Sequence, residues 1–360
     1  MGSASICLAG LLLSAILLCS CKTTQEAQPK PVSKASPVPE LSPRPEPIPE
    51  LKPLPSPPLE PIQPEAPLIP GIARQAERLG ASAERLEDGF WRVMGSEGEE
   101  LLLEESSRRA ALNGITLFLS EPFKRRLGGY ALSDSDFETI LVPAMTSVIG
   151  ALRSKTIVID PGHGGSENGA RNDGLNLLEK DLNLEVSNRL RELLEKDGYK
   201  VVLTRYDDRL VPLEERSRIA NRANAGLFIS IHFNAALNGE AVGLETYMLT
   251  PAGAISTGDE EAGEGSHAWP GNSFDQLNFK IGATMQRRIV EDLQRVDRGF
   301  KRARFKVLKD LECPGVLVEC GFLSNDKEAL LVNTPVYRQK LAEALAQVLV
   351  EFSHKSAEGV

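Results

Sequence analysis

The sequence lacks any excess of positive charge, and this absence argues against nucleic acid as a partner. It contains 41 Lys and Arg residues against 50 Asp and Glu residues, which gives a formal net charge of −9. Proteins that bind polyanions usually carry a basic patch or stripe. We therefore expect no nucleic-acid partner. Hydrophobic residues make up 41% of the chain, which is enough for a sizeable core.

Cysteine is also scarce, with five residues in a chain of 360. Three of them lie within the first 21 residues, so only Cys313 and Cys320 remain in the part expected to fold. The intervening "VLVE" is typical of a buried strand, and five or so extended residues span about 16 Å. Disulfide-bonded Cα atoms lie within about 7 Å of each other. We predict two free, buried thiols.

The N-terminus lacks the Lys or Arg of a typical export signal but has its other features. Residues 1–20 form an apolar run followed by Cys21 and polar sequence. Leu18-Cys19-Ser20-Cys21 resembles the lipobox at which bacterial lipoproteins are cleaved before an acylated cysteine. Because Lys22 and not Asp follows, we expect a lipid anchor on Cys21 at the periplasmic face of the outer membrane. An uncleaved membrane anchor is the alternative, and it also places the chain outside the cytoplasm.

Two further segments precede the second half of the chain. Residues 21–70 are so rich in proline that we expect an extended linker at about 3.1 Å per residue. Residues 71–150 contain no His or Cys and carry short apolar pieces such as "ITLFLS". The stretch "LSDSDFETILVPAM" predicts a capped helix that begins at Ser133 or Asp134. We interpret residues 71–150 as a small accessory α+β module.

From about residue 155 to residue 353, strands alternate with helical patterns. β-branched runs such as "TIVID", "LFISIH" and "VLVEC" are typical of strands buried on both faces. Between them, leucines recur at helical spacing up to Gly198, and further helices are predicted over about 214–226, 277–296 and 334–352. This alternation predicts an α/β fold with an open, twisted, mixed sheet flanked by helices on both faces.

Two histidines follow strands of this predicted sheet. His163 comes after "TIVID", and His232 ends "LFISIH". Side chains beyond the carboxyl ends of strands converge on one crevice, where Glu179 at the start of the next helix can join them. Two imidazoles and a carboxylate are a suitable ligand set for Zn²⁺. Taken alone, the spacing fits a zinc site and hydrogen-bonded structural histidines equally well.

Two other features support chemistry at this edge. Gly162 and Gly164, beside His163, allow a sharp turn and a close approach of the backbone. Glu319 closes the strand "VLVE", where its carboxylate can exchange a proton with a nearby water. We therefore expect Glu319 to be the catalytic acid–base group. By contrast, His267 lies in an acidic, Gly-rich segment and is expected to be a loop residue.

Six ordered motifs resemble those of the zinc-dependent N-acetylmuramoyl-L-alanine amidases of the Amidase_3 type. They are "IVIDPGHGG", "EKDLN", "LEERSRIAN", "SIHFNA", "ARFKVL" and "CPGVLVECGFLSN", within residues 155–353. The resemblance implies that His163, Glu179 and His232 bind zinc, that Glu319 is the catalytic base, and that the substrate is peptidoglycan. It also implies hydrolysis of the amide between N-acetylmuramic acid and L-alanine. Another zinc amide hydrolase or deacetylase, or a wall-binding protein without turnover, are the alternatives.

The same resemblance leads to expectations about the surroundings of the site. Asn183 lies one helical turn after Glu179 and is expected to orient that ligand. Asn234 and Arg216 fall in family motifs, and structural roles are expected for both. Some members of the family carry a helix that plugs the site, whereas residues 250–276 lack a helical period. We therefore expect an open site, or a flexible loop over it, in place of a helical plug, and the sequence leaves open whether a protein activator is a partner.

Overall fold

The computed structural model describes residues 71–147, 152–260 and 267–355. The predicted signal peptide, Cys21 and the proline-rich linker lie outside these residues, and the side chain of His354 is not described. The strands are β1 (Ser82–Arg85), β2 (Phe90–Met94), β3 (Glu100–Glu104), β4 (Arg109–Leu112), β5 (Ile115–Phe118), β6 (Lys124–Arg126), β7 (Gly129–Ala131), β8 (Thr156–Pro161), β9 (Arg171–Asn172), β10 (Leu177–Leu178), β11 (Lys200–Leu203), β12 (Leu227–Asn234), β13 (Leu244–Leu249), β14 (Asp297–Ala303) and β15 (Gly315–Phe322).

Helices connect and cover these strands. They are α1 (Gly71–Glu77), α2 (Asp134–Asp136), α3 (Val142–Met145), α4 (Glu179–Lys196), α5 (Leu213–Arg222), α6 (Asp275–Leu293), α7 (Lys306–Lys309), α8 (Asp326–Val332) and α9 (Pro335–Lys355). As the sequence predicted, Ser133 caps α2, and its side chain accepts a hydrogen bond from the backbone N–H of Asp136. Among the described residues, none of these helices combines the length and the apolar character needed to cross a membrane.

The main sheet is mixed and open, which confirms the predicted fold class. Its strand order is β1-β2-β3-β4-β5-β14-β13-β15-β12-β8-β11. The strands β15, β12, β8 and β11 are parallel, and β13 runs antiparallel to β15. The pairing of β5 with β14 makes the sheet continuous across the boundary predicted near residue 150.

The apolar residues of β8, β12 and β15 are buried on both faces of the sheet, as their sequences predicted. On one face α4, α6 and α9 pack against residues such as Ile229, Ile231 and Val318. On the other face, α5 and α7 cover Phe228 and Leu317, which lie in the first halves of β12 and β15. Because side chains alternate along a strand, His232 and Glu319 project from this second face, beyond its apolar part. Cys313 and Cys320 are free and buried, which confirms the prediction for both thiols.

The strand β14 was not predicted from the sequence. Its residues "DRGFKRA" alternate poorly and include four charged side chains, so they do not have the pattern of a strand between two others. The predicted third helix was too long at its C-terminal end, since α6 ends at Leu293. Gln294 adopts a left-handed conformation with a φ of 52° and turns the chain into β14.

Candidate metal centre

Three side chains predicted to bind metal lie together at one edge of the sheet. His163 follows β8, Glu179 is the first residue of α4, and His232 is near the end of β12. One ligand atom from each lies within 4.8 Å of the other two, and no other such group of His, Cys, Asp and Glu occurs in the described part of the chain. This group includes neither His267 nor any acid from residues 71–147. The arrangement can hold a metal ion.

The carboxylate of Glu179 is at the centre of this group. Its Oε1 lies 2.8 Å from Nδ1 of His232 and 3.2 Å from Nε2 of His163. Backbone N–H groups of Phe233 and Ala170 donate to its two oxygens, at 3.1 Å and 2.6 Å. Burial raises the pKa of Glu179, but the hydrogen bonds and the electrostatic attraction of His163 and His232 together outweigh burial and lower the pKa overall. Glu179 is therefore held as a carboxylate facing both imidazoles.

The turn that carries His163 leaves no space for additional side-chain atoms. His163 has a φ of 60°, which is uncommon for a residue other than glycine. A Cβ atom at Gly162 would overlap the imidazole of His232, and one at Gly169 would overlap the carboxylate of Glu179. Gly162 therefore permits the close approach of backbone and ligands that the sequence predicted, and Gly169, which the sequence analysis did not single out, does the same beside Glu179.

Two buried arginines hold this turn through its carbonyl groups. Arg205 donates to the carbonyl oxygens of Pro161 and Gly162, at 2.8 Å and 2.9 Å. Arg216 donates to the carbonyl of His163 at 2.9 Å and forms an ion pair of 2.7 Å with the buried Asp160. Arg216 thus has a structural role, as expected. Each arginine satisfies carbonyl groups that the irregular backbone would otherwise leave unpaired.

Glu319 lies beside the three clustered side chains. It pairs with His232 in the parallel register of β12 and β15, so both side chains project from the same face. Its Oε2 atom is buried and has no hydrogen-bond partner within the described residues. Burial and the nearby charge of Glu179 raise the pKa of Glu319 well above its usual value. A buried carboxyl oxygen without a partner is costly, which indicates a group kept for chemistry.

Comparison with known proteins covers this same part of the chain. Residues 157–351 match the family model of N-acetylmuramoyl-L-alanine amidase, Amidase_3, a span that contains all four side chains described above. The chain belongs to this family.

Two curated proteins and one solved structure are among those similar to this part of the chain. N-acetylmuramoyl-L-alanine amidase AmiA of Escherichia coli is 33% identical over 224 residues, which cover 56% of this chain and 76% of the relative. The uncharacterized protein YqiI of Bacillus subtilis is 35% identical over 194 residues, covering 54% of this chain and 82% of that one. A solved N-acetylmuramoyl-L-alanine amidase from Clostridium difficile 630 is 30% identical, with a TM-score of 0.46, and covers 57% of this chain and 97% of that chain.

The two asparagines of the amidase motifs differ in what they contact. Asn183 is fully buried and donates through Nδ2 to the carbonyl of Gly162 at 3.0 Å and to Glu179 at 3.4 Å. It therefore links the glycine turn to Glu179. Asn234 instead donates to Oε2 of Glu245 at 3.3 Å.

The segment 250–276 of this amidase-family chain contains no long helix among its described residues. Residues 261–266 lie outside the described part. Of the others, residues 250–260 and 267–269 form turns and irregular structure, Pro270–Phe274 form a 3₁₀ turn, and α6 begins at Asp275. The ring of Trp269 contacts His267 edge-on, with centroids 4.9 Å apart, and Lys309 lies 4.5 Å from its centroid. Trp269 thus packs against the protein, and the described residues contain no helical plug.

Three charged residues near the site were not identified from the sequence. Glu245, Arg298 and Lys301 form an ion-pair cluster on β13 and β14, which are one and two strands beyond the strand of Glu319. The sequence could have identified Glu245, because it is a charged residue inside the apolar run "LETYML" and a buried charge requires a partner. Arg298 and Lys301 could not be placed, because β14 itself was not predicted.

Proposed function

We propose that this chain hydrolyses the amide bond between N-acetylmuramic acid and the L-alanine of the stem peptide in peptidoglycan. The observation that carries the proposal is the convergence of His163, Glu179 and His232 beside Glu319. All four residues lie within the span that matches the amidase family.

We further propose that the metal is zinc. The donors are two imidazoles and a carboxylate, a set that Zn²⁺ accepts in catalytic sites with a fourth position for water or substrate. The backbone around them fits the same purpose, because Gly162 and Gly169 keep Cβ atoms away from the ligands. Asn183 contacts Glu179 in the way that polar residues commonly orient metal ligands.

In the proposed reaction, the metal provides Lewis acidity and the side chains position the metal and transfer protons. When bound, zinc would supply Lewis acidity to the amide carbonyl and to water. His163, Glu179 and His232 would hold the metal ion in position. Glu319 accepts a proton from the attacking water and then donates it to the nitrogen of L-alanine as the C–N bond breaks. The products are a free muramic acid carboxylate and a stem peptide with a new amino terminus.

The location of the enzyme is a separate proposal. We infer that Cys21 carries a lipid and that residues 21–70 link it to the folded part, on the periplasmic side of the outer membrane. The lipobox-like sequence before Cys21 and the density of proline after it support this proposal. Residues 71–150 are proposed as an accessory module, although their strands continue the main sheet.

Digestion of purified sacculi tests the bond, the metal and catalytic competence together. We expect the protein to release intact stem peptides with a free L-alanine amino terminus, as measured by mass spectrometry. A chelator should abolish the release, and added Zn²⁺ should restore it. Release of acetate in place of peptides would indicate a deacetylase and contradict the proposal.

A further inference from the structure

The buried carboxylate of Glu245 carries one negative charge and contacts two positively charged side chains. Its Oε1 accepts hydrogen bonds from Nε of Arg298 and Nζ of Lys301, both at 2.6 Å. Its Oε2 accepts from the hydroxyl of Tyr247 at 2.6 Å and from Asn234. The side chain of Glu245 is only 3% exposed. One cation would neutralise it, so the ion-pair cluster of Glu245, Arg298 and Lys301 carries a surplus positive charge.

This cluster lies on the same face of the sheet as the candidate metal centre. Glu245 is directly opposite Glu319 in the antiparallel pairing of β13 with β15, and Glu319 is opposite His232. Residues paired in this way project from the same face. Neighbouring strands are about 4.8 Å apart, so Glu245 lies about 10 Å from His232 and β14 about 15 Å away. The positively charged side chains therefore lie near the candidate metal centre but are not part of it.

Arg298 has the geometry to bind an anion there. It contacts Glu245 through Nε, and its two Nη groups have no hydrogen-bond acceptor among the residues that the structure describes. Its guanidinium lies 4.7 Å from the ring centroid of Phe322, which fixes the plane of the fork. The side chain is 34% exposed, whereas that of Lys301 is 15% exposed. Of the two cations, Arg298 is the one that faces solvent, and a guanidinium fork matches a carboxylate in two parallel hydrogen bonds.

We propose that Arg298 binds a free carboxylate of the stem peptide and thereby selects acidic stems. The proposal deepens the amidase function proposed above and depends on it. An extended peptide covers about 3.3–3.6 Å per residue, so a distance of 10–15 Å corresponds to roughly three or four residues from the scissile amide. Glu245 and Phe322 are positioning residues, because they hold the guanidinium and are not expected to touch the substrate.

The test uses N-acetylmuramoyl peptides that differ only in whether one stem carboxylate is free or amidated. In one series the free carboxylate of the second stem residue is amidated, and in another that of the third or fourth residue. The series in which amidation changes KM identifies the position of the recognised carboxylate. For the wild-type chain loaded with zinc, we expect KM to be about tenfold lower for the free acid at the recognised position. The value of kcat should differ by less than about twofold, since the contact is made in ground and transition states alike.

The Arg298→Gln variant should lose this discrimination. Its KM for the free acid should rise about tenfold, to that of the amidated substrate, and its KM for the amidated substrate should not change. Arg298→Lys should restore part of the difference, because it keeps the charge without the fork. Arg288→Gln is the matched control, since Arg288 is on α6 on the opposite side of the sheet and is 39% exposed. It should discriminate like the wild type.

Two results would overturn the subsite. One is equal KM values for free-acid and amidated substrates in the wild type. The other is an equal rise in KM for both substrates in Arg298→Gln, with thermal unfolding unchanged, which would indicate a general effect on the groove. If the wild type cleaves none of the substrates, the amidase function itself fails and the subsite with it, a result distinct from cleavage without discrimination.

Discussion

The Glu319→Gln variant is expected to lose about 10³-fold or more in kcat while it retains zinc. Positioned proton transfer contributes roughly 10²–10⁴-fold to such reactions, and Glu319 is the single titratable group proposed for both transfers. The amide of glutamine is nearly isosteric with the carboxyl group but cannot carry a proton between water and nitrogen. The rate of stem-peptide release from sacculi measures the loss, and the metal content of the purified variant measures retention of zinc.

A matched control separates this effect from a loss of charge alone. Glu312 lies just before β15 and is exposed, so Glu312→Gln removes one carboxylate from the same part of the chain without touching the site. We expect its activity to be unchanged. Because the amide is neutral, Glu319→Gln also removes the repulsion between Glu319 and the carboxylates of Glu179 and Glu245, so the folded state should be at least as stable as in the wild type. Normal turnover by Glu319→Gln would remove Glu319 from the mechanism.

His232→Ala is expected to lose both bound zinc and activity. Substitution of groups that only orient a ligand commonly costs 10–100-fold in metal affinity, so removal of a ligand should weaken zinc binding by about 100-fold or more. Competition with a chromogenic chelator measures this change. Because Glu179 also loses its 2.8 Å contact with His232, the free energy of unfolding should be measured in the same experiment.

His267→Ala is the control for this histidine variant. His267 lies outside the metal group and contacts the ring of Trp269, so its loss should change neither zinc affinity nor turnover. Should His232→Ala bind zinc as tightly as the wild type, His232 would not be a ligand and the site would need another donor.

The sequence was sufficient to predict which residues lie at the centre of the site, because the ends of its apolar strands can be recognised from the residue pattern. His163 and His232 follow apolar, β-branched runs, and the carboxyl ends of such strands converge in an open sheet. Glu179 could be added because α4 has a clear helical period that begins next to it. The structure brings these three residues together, and their roles as zinc ligands and that of Glu319 as acid–base group remain proposals.

The surroundings of the site were less accessible to sequence analysis for a physical reason. The charges of β14 are neutralised by residues distant in sequence, such as Glu245 for Arg298 and Lys301, and no local pattern encodes these pairs. Likewise, Leu117 in β5 pairs with Phe300 in β14, although the two residues are 183 positions apart in the sequence. Periodicity predicts which residues are buried, but it does not predict which strands are neighbours.

The coordination of zinc in the wild-type protein tests the central claim most directly. X-ray absorption at the zinc edge, on protein loaded with one equivalent of Zn²⁺, should give two imidazole nitrogens and at least one oxygen at about 2.0–2.2 Å. Substitution of His163, Glu179 or His232 should each remove one of these protein donors. A spectrum that is unchanged by all three substitutions would show that zinc binds elsewhere and would contradict the proposed catalytic centre.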